Sequence, residues 1–223
     1  MHKPKLLIFA SGSTEGGGSG FENLVIASRS GILSADIVGV VSNNENGGVK
    51  VRAEKLGIPF IYFEKPWDGE MYQKIALDSD ADFFALSGWL KLVRGLDPNT
   101  SFNARTVFNI HPGPLPRFGG PGLYGKHVHE AVLKAYKDGE ISHTAFCMHF
   151  VTEAYDRGPI FFTCKSRINV EDTAETIGAR VNHLEHIHQP RITNMVVNGQ
   201  ISWDGVDPKS LKLPQGYNIE CFE

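Results

Sequence analysis

At 223 residues, with 41% apolar residues and a formal charge of −3, the chain has the mass for one substantial core and lacks the low-hydropathy, high-charge signature of disorder. It has no Lys/Arg-rich run, which argues against a nucleic-acid partner; the roughly five apolar residues after Met1-His2-Lys3-Pro4-Lys5 are too few for a signal segment or a membrane span. Three widely spaced cysteines (Cys147, Cys164, Cys221) without a CxxC pair predict neither a disulfide scaffold nor a cysteine-based zinc site, so the expectation is a cytoplasmic, small-molecule-directed protein.

Along the chain, short apolar runs alternate with helical patterns, the mark of βα units and a parallel sheet. Lys5 to Ala10 is a buried strand, followed by a glycine-rich loop from Ser11 to Gly20 and a helix with Phe21, Leu24, Val25 and Ser28 on one face. Asp36 to Val41 is the next strand, Val49 to Leu56 a helix stopped by Gly57, Pro59 to Phe63 a third strand, Met71 to Leu77 a helix and Ala81 to Leu86 a fourth strand. Thr106 to Ile110 is a fifth, opening into a Pro/Gly-dense loop from His111 to Gly125 and a helix over about 126–137. Thr144 to Val151 and Ile160 to Ser166 are further strands. Thr173 to about Met195 is a long helix that Pro190 is expected to kink or split, and Val196 to Trp203 reads as a hairpin with an Asn-Gly turn. The pattern predicts an α/β protein with an open, mostly parallel Rossmann-like sheet flanked by helices, and an antiparallel C-terminal part. It reads as a single domain, 1–223, with a nucleotide-binding part over about 1–105 and a catalytic part over about 106–223.

Three segments carry chemistry. The loop Ser11 to Gly20 lies between a first strand and a helix, where backbone N–H groups and the helix dipole favour an anion. It lacks the Gly-Lys-Ser/Thr of a P-loop, and the second strand offers no ribose-holding acid, so a monophosphate fits better than a dinucleotide; a plain flexible turn fits equally. In Asn109-Ile110-His111-Pro112 the strand period puts Asn109 and His111 on one face, an amide donor beside an imidazole at a strand's carboxyl end. Such a pair suits oxyanion stabilisation and proton transfer, though a histidine at a turn is also an ordinary structural residue. In His149 to Ile160, Asp156 precedes Gly158-Pro159; it reads as a turn residue or as a carboxylate that raises the pKa of an imidazole. His183, Glu185, His186 and His188 do not share one helix face and are read as no metal cluster. Trp89 suits core packing as well as stacking on a ring ligand.

Taken in order, the Gly-Ser loop, Asn-Ile-His-Pro with Leu115-Pro116 after it, His-Phe-Val-Thr-Glu-x-x-Asp-x-Gly-Pro-Ile, Glu185-His186 in the last helix and Gln215-Gly216-Tyr217 resemble the phosphoribosylglycinamide formyltransferases over nearly the whole chain. The resemblance implies transfer of the formyl group of 10-formyltetrahydrofolate, a co-substrate, to the amine of 5'-phosphoribosylglycinamide by direct attack. Asn109, His111 and Asp156 would stabilise the tetrahedral intermediate, with His111 protonated and its pKa raised by Asp156. It implies that Gly18, Ser19 and Gly20 hold the phosphate and that Asn182 and Glu185 hold the phosphate side and ribose. Leu90, Lys91, Leu92 and Val93, with Asn109, Val151, Thr152, Glu153, Ala154, Tyr155 and Asp156, would hold the folate. It implies no metal, no nucleic acid, no membrane, and a monomer or homodimer. Sugar-nucleotide formyltransferases and 10-formyltetrahydrofolate hydrolases share the same three residues. The chain departs from the family pattern at Gly69, where an arginine is frequent, at Lys91, at Gln189, and in the longer, glycine-rich loop between Arg117 and Lys126.

Overall fold

The structure is a computed structural model describing residues 3–14 and 16–223; Met1, His2 and Glu15 of the glycine-rich loop lie outside the described residues. Eight strands form one sheet in the order β3-β2-β1-β4-β5-β6-β7-β8. They are β1 Lys5–Phe9, β2 Asp36–Ser42, β3 Phe60–Tyr62, β4 Phe83–Ser87, β5 Val107–His111, β6 His143–Phe150, β7 Ile160–Arg167 and β8 Glu220–Phe222. β1 to β5 run parallel, β6 pairs antiparallel with both β5 and β7, and β8 lies parallel to β7. The helices are α1 Ser19–Arg29, α2 Gly48–Leu56, α3 Gly69–Ser79, α4 Lys126–Lys137 and α5 Ala174–Val197.

Continuous apolar runs such as Leu6-Leu7-Ile8-Phe9 are buried on both faces, as strands covered by helices on both sides must be. On one face Leu6, Ile8, Phe108, Phe146 and Phe150 pack with α1, α4 and α5. On the other, Leu7, Phe9, Phe84 and Phe102 pack with α3 around Tyr72 and Trp89. Trp89 is mainly a core residue. It stacks on Phe63 at 5.9 Å, meets Phe9 edge-on at 5.4 Å and donates Nε1–H to the Tyr72 hydroxyl at 2.8 Å.

Three expectations are corrected. α5 runs unbroken through Pro190. The ring removes the N–H that would bond the carbonyl of His186, and Asn23 of α1 supplies the missing donor, Nδ2 to O at 2.8 Å. The expected hairpin from Val196 to Trp203 does not form; Val196 and Val197 end the helix instead. Asn198 caps it and Gly199 takes φ 71°, with Gln200 N–H bonded to Met195 O at 2.9 Å and Gly199 N–H to Val196 O at 3.0 Å, a Schellman stop. Beyond it Ser202 makes one antiparallel bridge to Lys212, and the chain returns to add β8, a strand absent from the sequence expectation. Among the described residues no helix is long and apolar enough to cross a membrane.

Candidate active site

The strand order reverses direction between β1 and β4, and a crevice outside the carboxyl ends of these strands is where parallel α/β sheets bind ligands. A cavity of about 350 Å³ opens there, walled by the glycine loop, Ser87 and Gly88 after β4, Asn109 to Pro112 at the end of β5, and α5. A smaller space of about 50 Å³ lies beside it, bounded by Lys91 to Val93 and by Val151, Thr152, Ala154 and Tyr155. Trp89, Asn109, Tyr155 and Asp156 belong to both walls.

At the far end of the larger cavity α1 begins without a side-chain cap. Gly18 is left-handed at φ 80°, and Glu22 N–H closes on its carbonyl, so the N–H groups of the first turn have no intrahelical partner. Gly20 approaches β4 so closely that a Cβ would stand 2.2 Å from Ser87 Oγ. The loop is tied down by Asn44, whose Nδ2 donates to the carbonyls of Ser11 and Gly12, and by Arg52, whose Nε donates to that of Gly17. Gly18, Ser19 and Gly20 line this cavity together with Asn182 and Glu185 of α5. Burial raises the Glu185 carboxyl to about 7, against the opposing pull of an Asn182 Nδ2–H bond at 3.3 Å.

The centre is built by β5 and β6. Antiparallel pairing sets Asn109 opposite His149 and His111 opposite Cys147, which puts all four side chains on one face. A register shift at Met148/His149 falls beside the site. His149 Nδ1–H donates to Phe150 O at 2.7 Å, which leaves Nε2 to accept from Asn109 Nδ2 at 3.1 Å. His111 Nε2–H donates to Phe118 O at 2.7 Å, which leaves Nδ1 turned toward Asp156. Asp156 Oδ1 then stands 3.6 Å from His111 Nδ1 and 3.4 Å from His149 Nε2, while Oδ2 accepts Gly120 N–H at 2.8 Å. Asp156 holds a left-handed backbone, φ 53°, a conformation that Asp tolerates better than most residues. The glycines of the 111–125 loop make room for this closure: a Cβ on Gly119 would stand 2.9 Å from the Asp156 Cβ.

At His111 and Asp156 burial and charge pull in opposite directions. His111 is 4% exposed, and its pKa lies below the ordinary value because burial outweighs the Asp156 charge and the Phe118 carbonyl that favour protonation. Burial also pushes the Asp156 carboxyl up, but the His149 and His111 rings and the Gly120 N–H outweigh it and leave the pKa below the usual carboxylate range. His111 is therefore harder to protonate than a free imidazole, and Asp156 easier to ionise than a free carboxyl.

Of the other residues singled out in the sequence, Lys91, Leu92, Val93, Val151, Thr152, Ala154 and Tyr155 line the smaller space. Lys91 lays its ammonium over the Trp67 ring at 3.9 Å. Leu90 faces the larger cavity instead, its N–H taken by Ser11 Oγ at 3.0 Å. Glu153 lines neither, its carboxylate accepting Gly95 N–H at 3.3 Å. No arginine fits at Gly69, where a Cβ would stand 2.8 Å from the Gly95 Cα. Sequence reasoning missed His149 as a site residue, although strand pairing across from Asn109 was its signal. It also missed His129 of α4, whose buried Nδ1 has no hydrogen-bond partner in the cavity wall.

Residues 5–193 match the Formyl transferase family model. The chain is 35% identical over 217 residues to a chloroplastic phosphoribosylglycinamide formyltransferase of Arabidopsis thaliana, covering 92% of this chain and 71% of that one. It is 29% identical to the phosphoribosylglycinamide formyltransferase of Bacillus subtilis strain 168, covering 86% of this chain and 94% of that one. The crystal structure of phosphoribosylglycinamide formyltransferase from Anaplasma phagocytophilum superposes with a TM-score of 0.79 at 26% identity over the full length of both chains. The chain belongs to the formyl transferase family.

Proposed function

We propose that this protein transfers the formyl group of 10-formyltetrahydrofolate to the amine of 5'-phosphoribosylglycinamide, a step of purine biosynthesis, with Asn109, His111 and Asp156 at the reacting centre. The observation that carries this reading is the pair of cavities meeting at Asn109 and Asp156, with an uncapped helix N-terminus at the far end of the larger one. A phosphate at α1 satisfies the orphan N–H groups and the helix dipole, and Asn182 and Glu185 then face the sugar. The unpartnered His129 Nδ1 lies in the same wall, where a ligand group would satisfy it. The smaller space suits the edge of a flat, polar ring between Lys91–Val93 and Val151–Tyr155. At about 50 Å³ it holds only an edge of such a ring, the remainder facing the larger cavity beside it.

The folate supplies a formyl carbon open to attack by an amine. Of the two Asn109 Nδ2 hydrogens one is given to His149, and the other is left to bond the formyl oxygen as negative charge gathers there. His149 is a positioning residue: the Phe150 carbonyl fixes its tautomer, and the tautomer fixes which end of the Asn109 amide faces the ring. Asp156 and His111 Nδ1 take the proton that the attacking amine loses and return it to the departing nitrogen.

The test is an assay of purified protein with 10-formyltetrahydrofolate and a panel of acceptors. Formylation of phosphoribosylglycinamide is expected; turnover only with an amino sugar nucleotide, or only hydrolysis of the folate, rejects the acceptor assignment.

A further inference from the structure

On the sheet face opposite Cys147 and Thr163, Cys164 of β7 stands in register beside Cys221 of β8, with His188 of α5 above them. Donor atoms of Cys164, His188 and Cys221 all lie within 4.8 Å of one another, and Cys221 Sγ is 4.0 Å from His188 Nε2. The same Nε2 is 3.6 Å from Glu223 Oε1. Tetrahedral zinc, with Zn–S of about 2.3 Å and Zn–N of about 2.0 Å, separates its ligands by roughly 3.5–3.8 Å, so a contraction of at most about 1.3 Å completes the geometry. The rings of Phe146 and Phe162 pack at 6.1 and 5.3 Å from the His188 ring and make the inner wall of the cluster apolar. No step of formyl transfer uses these residues.

We propose that Cys164, His188 and Cys221 bind a single zinc-type divalent cation, with the Glu223 carboxylate as fourth ligand, pinning the C-terminal strand to β7 and α5. This departs from the sequence expectation of no metal, which rested on the absence of closely spaced ligands; here three elements distant in sequence supply them. Two thiolates with an imidazole select zinc over the hard magnesium and calcium ions. Binding is a ligand exchange without redox change: each thiol forms a metal–sulfur bond and releases its proton to solvent.

The experiment is cobalt(II) titration of the full-length chain, stripped of metal and kept reduced, followed by displacement with zinc. Expected are the visible bands of tetrahedral cobalt, a thiolate charge-transfer band saturating at one ion per chain, and their loss on adding zinc. Zinc should also raise the thermal midpoint. Cys221→Ser and His188→Gln should each abolish the thiolate band while circular dichroism shows a folded chain, Glu223→Gln should weaken binding by about 10-fold, and Cys147→Ser should leave it intact. Absence of stoichiometric binding, survival of the band in Cys221→Ser, or Cys164 and Cys221 occurring as a disulfide whose reduction yields no metal uptake would each overturn the proposal.

Discussion

Asp156 is met by two imidazoles and a backbone N–H, and each contact constrains a different part of it. Gly120 holds one carboxylate oxygen in place, while the other faces two ring nitrogens whose partners, Phe118 and Phe150, occupy the opposite nitrogens. Asp156 Oδ1 and His111 Nδ1 thus face each other across one proton site, while His149 Nε2 accepts from Asn109. Replacing the carboxylate by an amide leaves the shape and removes the base, so Asp156→Asn is expected to slow transfer by about 10²–10⁴-fold with folding unchanged. His111→Asn belongs in the same range, and single-turnover rates measure both; near-normal rates would remove both residues from the mechanism. Asn109, His111 and Asp156 were singled out in the sequence because their motifs combine type, spacing and order, and the fold brings all three to one cavity wall. His149 was not, because its place across from Asn109 depends on the register between two strands forty residues apart, which has to be set before the pairing can be used. The direction of the His111 pKa was also out of reach: a neighbouring acid can be guessed from a motif, but the burial that outweighs it depends on the folded loop from Pro112 to Gly125.

Strands and helices of the parallel half follow from period and punctuation, and β1 to β5 lie within a residue or two of their expected bounds. The C-terminal part was harder because one local chemistry serves two ends. Asn-Gly favours positive φ, which a tight hairpin and a helix C-terminus both need, and the burial of Val196 and Val197 against the core decides for the helix. Pro190 was misread for a related reason, since its penalty is local and its remedy comes from another helix. That remedy is measurable. Asn23→Ala leaves the His186 carbonyl without a donor and is expected to cost about 1–2 kcal/mol in urea unfolding. In a Pro190→Ala background the restored N–H serves that carbonyl, so the same change should cost much less; equal penalties in both backgrounds would show that the two sites are uncoupled.

Across the whole molecule, burial dominates the lowered pKa values of four histidines: His111, His129, His186 and His188. As pH falls through the unfolded value of about 6.5, the unfolded chain binds protons that the folded chain refuses, and stability drops. Glu185, raised to about 7, acts the other way: its contribution is full at low pH and is lost as pH rises toward 7. Asp156 and Asp172, both held low, withdraw their support only below the ordinary carboxylate range. The two effects oppose each other in this window, so the histidine part is read in Glu185→Gln, whose urea midpoint is expected to fall between about pH 7.5 and about pH 5.5; a flat or rising midpoint in that variant would contradict the histidine shifts.

The sheet begins and ends in strands of three residues, β3 and β8, while β7 beneath β8 has eight. An edge that short offers few free N–H and C=O groups to a passing chain. β8 therefore acts as a guard against self-association where it pairs, at Thr163, Cys164 and Lys165, the end of an apolar run from Ile160 of the composition that nucleates cross-β stacking. Removing residues 220–223 should leave catalysis at Asn109 within reach yet turn a well-behaved solution into one that scatters light on standing, with the catalytic residues intact and the colloidal stability gone.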